Sequence, residues 1–432
     1  MLQTLFTIFF PLIAPQNTVQ NFSEDKTLMY QDHEYETKVR SVLVKQLGSD
    51  DRFPLMYLDN NNGLSISFDM LESENDYFQF TVIHCDRNWN PSSLNKTDYI
   101  DGNMFENVSQ FKFASNTFVQ YTHYDFQFPM SKMKPKIGGN YLLVVYRNFD
   151  EEDIILTRRL LVLNPQTKVT GRVRSATNAY LRFTHQEIDF NVDATDYTIP
   201  NPFNDLHAIV LKNYSWFQTS QMMQPQFANA NKYTFNYEKE NVVQGLNEFR
   251  FFDSRGLRTF ASGVKSKSFD TARNQTVINL YEDATRGSIT YLYWQDNNGK
   301  TVYGNRDLPN VANSEDYLVV NFELKGNPLF NANEDLYVLG EFNNWLPTPA
   351  SKLSKMNNGN YGVSLTLKQG YYNYLYGRKE KDGSLDFSIT EGVHQETEND
   401  YRVLVYCKNQ FLRYDDLIGF LFLNTLNANT KE

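Results

Sequence analysis

The alternation of apolar and polar residues in LSISFDML (64–71) and YFQFTVIHC (77–85) constrains the fold more than any other feature of the chain. A repeat of two places one set of side chains on a single face of an extended strand, whereas an amphipathic helix would repeat every 3.6 residues. YDFQF (124–128) and NYLLVVYR (140–147), set between turn clusters, also read as strands, and no amphipathic helix longer than about three turns stands out. An aromatic share of 15%, mostly 33 Phe and 28 Tyr, agrees, because these residues suit a pleated, half-buried surface. The predicted fold class is all-β, built as tandem immunoglobulin-like (early-set-like) antiparallel β-sandwich domains.

A chain of 432 residues exceeds what one hydrophobic core usually serves. The opening MLQTLFTIFFPLIAP is apolar and uncharged and gives way to the polar QNTVQNFSEDK, a pattern like a secretory signal peptide, expected over 1–16. Turn-like NPQTK (164–168) and polar SGVKSKSFDTARN (262–274) then serve as junctions. They divide the remainder into an N-terminal sandwich (17–164), a middle one (165–273) and a C-terminal one (274–426). Expected strands include RLLVL, DFNVD, HAIVLKN and KYTFNYE, with LNEFRFFD closing the middle block; SITYLYW, YLVVNFEL, DLYVLGEF, YGVSLTLK, YYNYLYGR and YRVLVYC follow. Beyond the opening stretch, no apolar run approaches the roughly 18 residues needed to cross a bilayer as a helix, so the mature chain is not expected to span a membrane.

A net charge of −10 without a Lys/Arg cluster offers no field for phosphate backbones, which argues against nucleic acid as a partner. Cys85 and Cys407 stand far apart and read as two free, buried thiols. The octet HCDRNWNP (84–91) brings together residue types used in catalysis and metal binding. Neighbours on a strand point to opposite faces, however, so His84 and Cys85 cannot serve one reacting centre. His123, with His84 and Asp86, forms no recognised metal-ligand spacing. Trp89 is expected to cap the sandwich core, and Pro91 to stop strand pairing. The acidic pairs Glu151–Glu152 and Asp415–Asp416 read as solvated, and no nucleophile elbow, phosphate loop, zinc helix or dinucleotide fingerprint occurs. Neither an enzyme nor a cofactor is expected.

The segment YVLGEFNNWLP (337–347), followed by NNGNYGVSLTL and GYYNYLYG, is similar to the glycogen-binding, early-set type of immunoglobulin-like module over about 337–386. Phe342 and Trp345 would close the core at a strand end, with Gly340 allowing close packing. Tyr371, Tyr372, Tyr374 and Tyr376 would either fill the core or offer a face on which a sugar stacks.

In order along the chain, LSISFDML, HCDRNWNPSSL with DYIDG, SNTFVQYTHYDFQFP, GGNYLLVVY, GLNEFRFFD, YVLGEFNNW and ETENDYRVLVYC with RYDDLIGF resemble the plug protein family of the Bacteroidetes type IX secretion system. The resemblance runs from about residue 54 onward. It implies a periplasmic protein that docks on the inner side of the outer membrane, at the periplasmic mouth of the very large translocon β-barrel. There it would seal the pore while no substrate passes. The family brings no catalytic residues. His84, Asp86, Trp89, His123 and Trp345 are therefore carried as candidate interface or structural residues, and HCDRNWNPSSL and the tip DNNNG as candidate surface loops. The alternative is a periplasmic or cell-surface glycan-binding protein.

Overall fold

The computed structural model describes residues 26–59, 63–72, 76–258, 262–330 and 334–427. The signal-peptide expectation and most of the DNNNG tip lie outside the described residues. Three β-sandwiches make up the fold, and almost all strand pairs are antiparallel. Two short pairings, Leu55–Tyr57 with Leu161–Leu163 and Val277–Asn279 with Val319–Asn321, are parallel.

In the first sandwich, one sheet runs His33–Glu34, Asp150–Leu163, Gly139–Arg147, Phe78–Cys85, Glu106–Asn107. The other runs Val39–Gln46, Leu64–Leu71, Tyr121–Phe128, Gln110–Phe113. The alternation of LSISFDML does what its period predicts: Leu64, Ile66, Phe68 and Met70 are buried together with Phe80, Val82, Leu143 and Val145 of the opposing sheet. Phe68 stacks on Tyr124 with ring centres 5.1 Å apart and meets Phe78 edge-on. Each such fully buried side chain contributes roughly 1.5–3 kcal/mol. Phe78–Cys85 is buried on both faces, because Cys85 joins Tyr35, Leu142, Val144 and Ile154 in a second small cluster on the outer side.

The second sandwich corrects the expected domain boundaries. Its first sheet holds Lys168–Ser175, His185–Asp193, Lys232–Phe235 and Phe227–Asn229. Its second holds Ser215–Thr219 and Leu206–Lys212 followed by Asp400–Lys408 and Asp415–Asn424. Pairing from Leu206↔Cys407 to Lys212↔Tyr401 removes the last two strands from the expected C-terminal domain at 274–426. The cause is a shared core, since Val403, Val405 and Cys407 bury beside Ala208, Val210, Phe190 and Val192.

The third sandwich is thus inserted into the second. It begins at Arg250–Asp253, within the stretch expected to close the middle domain, because these residues pair with Gly370–Lys379. Val302–Tyr303, Leu336–Gly340 and Leu385–Asp386 pair with that same strand and complete the sheet. The facing sheet runs Val264–Asp270, Gln275–Leu280, Tyr317–Leu324, Tyr361–Lys368, Ser354–Lys355. The supposed polar junction at 262–274 is therefore a hairpin strand, polar because it lies at a sheet edge with residues 265–269 exposed. SITYLYW is not a strand. Its Ile289, Leu292 and Tyr293 are exposed with no facing sheet to cover them, and Trp294 is tied down by its Nε1–H donating to the Phe249 carbonyl at 3.0 Å. No helix among the described residues is long and apolar enough to cross a membrane.

Candidate functional site

The residues singled out from the sequence lie at the joints between sandwiches. His84 ends a strand of the first sandwich and is buried, its Nε2 3.3 Å from the Gly138 carbonyl. The rings of Tyr99, Tyr141 and, from the second sandwich, Tyr414 surround it. Burial disfavours the imidazolium and pushes its pKa down to about 4. The glycine pair in GGNYLLVVY serves this contact. A Cβ on Gly139, whose φ is +131°, would lie 2.6 Å from His84 Nε2 and 2.9 Å from the Asp415 carbonyl oxygen.

Asp86 shapes the turn after the strand. Its Oδ1 accepts from the backbone N–H groups of Asn88 at 2.9 Å and Asn90 at 2.8 Å, so it acts as a turn-former and not as a ligand. Arg87 then reaches the second sandwich, donating through one guanidinium nitrogen to both carboxylate oxygens of Asp415 at 2.8 and 3.0 Å. Asp415 and Asp416 are accordingly buried, not solvated as the sequence reading had them. Asp416 accepts from Asn164 Nδ2 at 2.8 Å, and burial pushes its carboxyl up to about 6.

Trp89 lies outside the main core of its own sandwich, packed against the small outer cluster around Cys85 and the apolar cluster shared with the second sandwich. It is half-buried and meets Trp216 of the second sandwich edge-on, with ring centres 5.1 Å apart. The Arg159 guanidinium lies over both rings, at 5.5 and 4.8 Å. Its positive φ of 66° places Trp89 in the turn that Asp86 organises.

His123 is in the opposite sheet from His84, and the two have separate partners. His123 Nδ1 lies 2.6 Å from Asp69 Oδ1. The other Asp69 oxygen accepts from Tyr317 OH and Lys368 Nζ of the third sandwich, each at 2.7 Å. Burial alone would raise the Asp69 pKa, but Lys368 and His123 outweigh it and hold the carboxyl below its ordinary value. This buried hub was not legible in the sequence, where Asp69 falls on the polar side of LSISFDML.

Trp345 packs with Phe249, Leu246, Leu339 and Phe387, and Phe217 of the second sandwich lies against the same cluster. It therefore closes the joint between the second and third sandwiches, while Phe342 joins the third core. Beside it, where the chain passes from the second sandwich to the third and back, Glu248, Asp296 and Glu398 bring carboxylate oxygens within 4.8 Å of one another. Protein donors already serve these groups. Glu248 accepts from Tyr291 OH and the Glu398 N–H, Asp296 from the N–H groups of Phe249 and Asn298, and Glu398 from the side-chain amides of Asn298 and Asn424. Burial, reinforced by the other two carboxylates, pushes Asp296 up to about 7.

Tyr372, Tyr374 and Tyr376 are buried, and Tyr371 is stacked against Phe251 with Arg255 over its ring. The three buried rings are core residues, without a face for a sugar. Cys85 and Cys407 are free, buried thiols in different cores, and burial pushes each up to about 12.

No curated protein matches the chain. Residues 39–164 match the family model described as the Type 9 secretion system plug protein 1st domain. The first sandwich is a type 9 secretion system plug domain. The match ends one residue after the strand Asp150–Leu163, where the first sandwich itself ends. The plug family's name indicates a protein of type 9 secretion. The whole chain is also similar to the crystal structure of a hypothetical protein from Parabacteroides merdae ATCC 43184. That similarity has a TM-score of 0.86 and 26% identity, covering 92% of this chain and 100% of the other. The joints described above therefore fall in a plug domain and in the two sandwiches that follow it.

Proposed function

We propose that this protein is a non-enzymatic periplasmic plug that docks on the periplasmic opening of the type 9 secretion translocon barrel and seals it when no substrate is passing. The observation that carries this reading is the plug-domain match over residues 39–164. The physical design suits it. A pore that passes folded proteins also leaks small molecules, and closing it calls for a body that keeps its shape without chemistry. Apolar clusters at the joints of the second sandwich with its two neighbours, and ion pairs at the joints of the first sandwich with its two, supply that stiffness.

The test has two arms. Tagged protein captured from a Bacteroidetes envelope in mild detergent should retain a very large outer-membrane barrel, identified by mass spectrometry. A strain lacking the protein should admit large antibiotics that the parent excludes. Retention of polysaccharide without the barrel, with unchanged permeability, would replace this reading with glycan binding.

A further inference from the structure

A cleft of about 760 Å³ opens between the first and third sandwiches, within the usual size range of ligand sites. Two strand edges line it. Val39–Gln46 is the last strand of its sheet and, among the described residues, pairs only with Leu64–Leu71; residues 39–42 face the cleft. Across from it, Tyr361–Lys368 pairs along its full length with Tyr317–Leu324. On its other side, among the described residues, Ser354–Lys355 cover only Tyr361 and Gly362, leaving residues 364–368 as an edge on the cleft that no strand covers, with only the Lys368 carbonyl taken, by Tyr372 OH. An open edge carries unpaired backbone N–H and C=O groups, which an added extended strand satisfies. Val42, Phe342, Leu346, Leu365 and Leu367 supply apolar lining.

The charges in the cleft are matched with one exception. Glu34 pairs with Arg158, Lys26 with Glu36 and Asp153, and Lys368 with Asp69. Asp32 accepts from the Arg159 N–H at 2.7 Å and Glu341 from the Thr301 N–H at 2.7 Å. Arg40 stands at a break in strand register between Arg40 and Leu43, with Ser41 beside it at φ 50°. Among the described residues its guanidinium makes no hydrogen bond or close ion pair, its Nε is buried, and Glu34 of the same cleft acts on it only through space while pairing with Arg158. A partly buried guanidinium beside a cavity is a carboxylate receptor without its carboxylate.

We propose that this cleft binds a partner protein through an extended segment, which adds a strand to the open edge at 364–368 and places a glutamate or aspartate side chain on Arg40. The site is separate from the reading of the chain as a plug, since it rests on the cleft's own chemistry.

The test begins with a random octapeptide library displayed internally, so that no peptide terminus is free, and selected on the full chain. Selected peptides are expected to share an acidic position. Replacing that acid by its amide, or Arg40→Gln in the protein, should each weaken binding about tenfold or more, with little further loss when combined. Hydrogen exchange should slow at residues 364–368 on binding. Arg40→Gln removes an unpaired cation, so its thermal midpoint should equal or exceed the parent's, which separates loss of binding from loss of fold. The proposal is overturned by selection of no peptide, by binders indifferent to the acid or to Arg40→Gln, or by protection confined to other strands. A requirement for a free C-terminal carboxylate would overturn it equally.

Discussion

The first sandwich meets its two neighbours through joints of different make-up: an apolar cluster edged by the Arg87–Asp415 pair on one side, and a buried carboxylate at the centre of the other. Against the second sandwich, Phe53, Leu55, Leu161 and Leu163 bury beside Leu211, Leu404, Tyr406 and Leu417, in the manner of a domain core cut in half. Against the third, the contact is polar. Its centre is the Asp69 carboxylate with Lys368, Tyr317 and His123, together with Asp316 accepting from the N–H groups of Phe118 and Val119, both at 3.0 Å, and the ring pairs Phe118–Phe269 and Tyr121–Tyr317 flank it. Apolar burial is non-directional and adds stability with area, whereas a buried ion pair adds little net stability but penalises heavily the loss of one partner. The first joint thus supplies strength and the second fixes orientation, and the open cleft lies at the second.

The difference can be broken most severely at Asp69. Asp69→Ala strands Lys368 as a buried charge and should cost about 3–5 kcal/mol in denaturant unfolding, whereas adding Lys368→Met should restore most of it. At the apolar joint, Leu417→Ala should cost about 2–5 kcal/mol by leaving a cavity, and no second polar substitution should rescue it. Rescue in the first case and not in the second is the sharpest statement of the contrast; equal behaviour would erase it.

Acid should act on the apolar side. His84 takes a proton at its ordinary value of 6.5 when unfolded but only near 4 when folded. Its contribution is therefore complete above pH 6.5 and is lost as pH falls toward 4, the loss amounting to about 2 kcal/mol at pH 5. His84→Phe should flatten stability between pH 6.5 and 4 relative to the parent. Trp89→Ala should have the smallest effect, about 1–2 kcal/mol, because the ring is half-buried, held by Trp216 and Arg159 at the margin of two apolar clusters. A double-mutant cycle with Trp216→Ala should give a coupling of about 0.5–1.5 kcal/mol, and additivity would dismiss the contact.

Strands with one buried face were legible in the sequence because their period is local, as LSISFDML shows. What was not legible depends on which surface is covered by another sandwich. Asp69 follows the polar phase of its strand and would be solvated if the first sandwich stood alone; Lys368 and Tyr317 cover it. Asp415–Asp416 misled for the same reason. SITYLYW has strand-forming residues but no facing sheet, and VKSKSFD buries only Val264 yet pairs, because an edge strand needs only a neighbour's backbone. The candidate residues His84, Trp89, His123 and Trp345 each lie where one sandwich meets another, a placement that no local pattern in the sequence encodes.

The return of Asp400–Lys408 to the second sandwich also sets an order of events on the ribosome. Leu206–Lys212 is made early, yet its neighbour emerges only after the entire inserted third sandwich. The third sandwich can complete itself on an unfinished host, while the second must wait with an open sheet edge. A chain cut before Asp400 would keep the last-numbered domain and lose the middle one. With the middle one would go Leu404, Tyr406 and Leu417, the half of the apolar joint that holds the first sandwich in place.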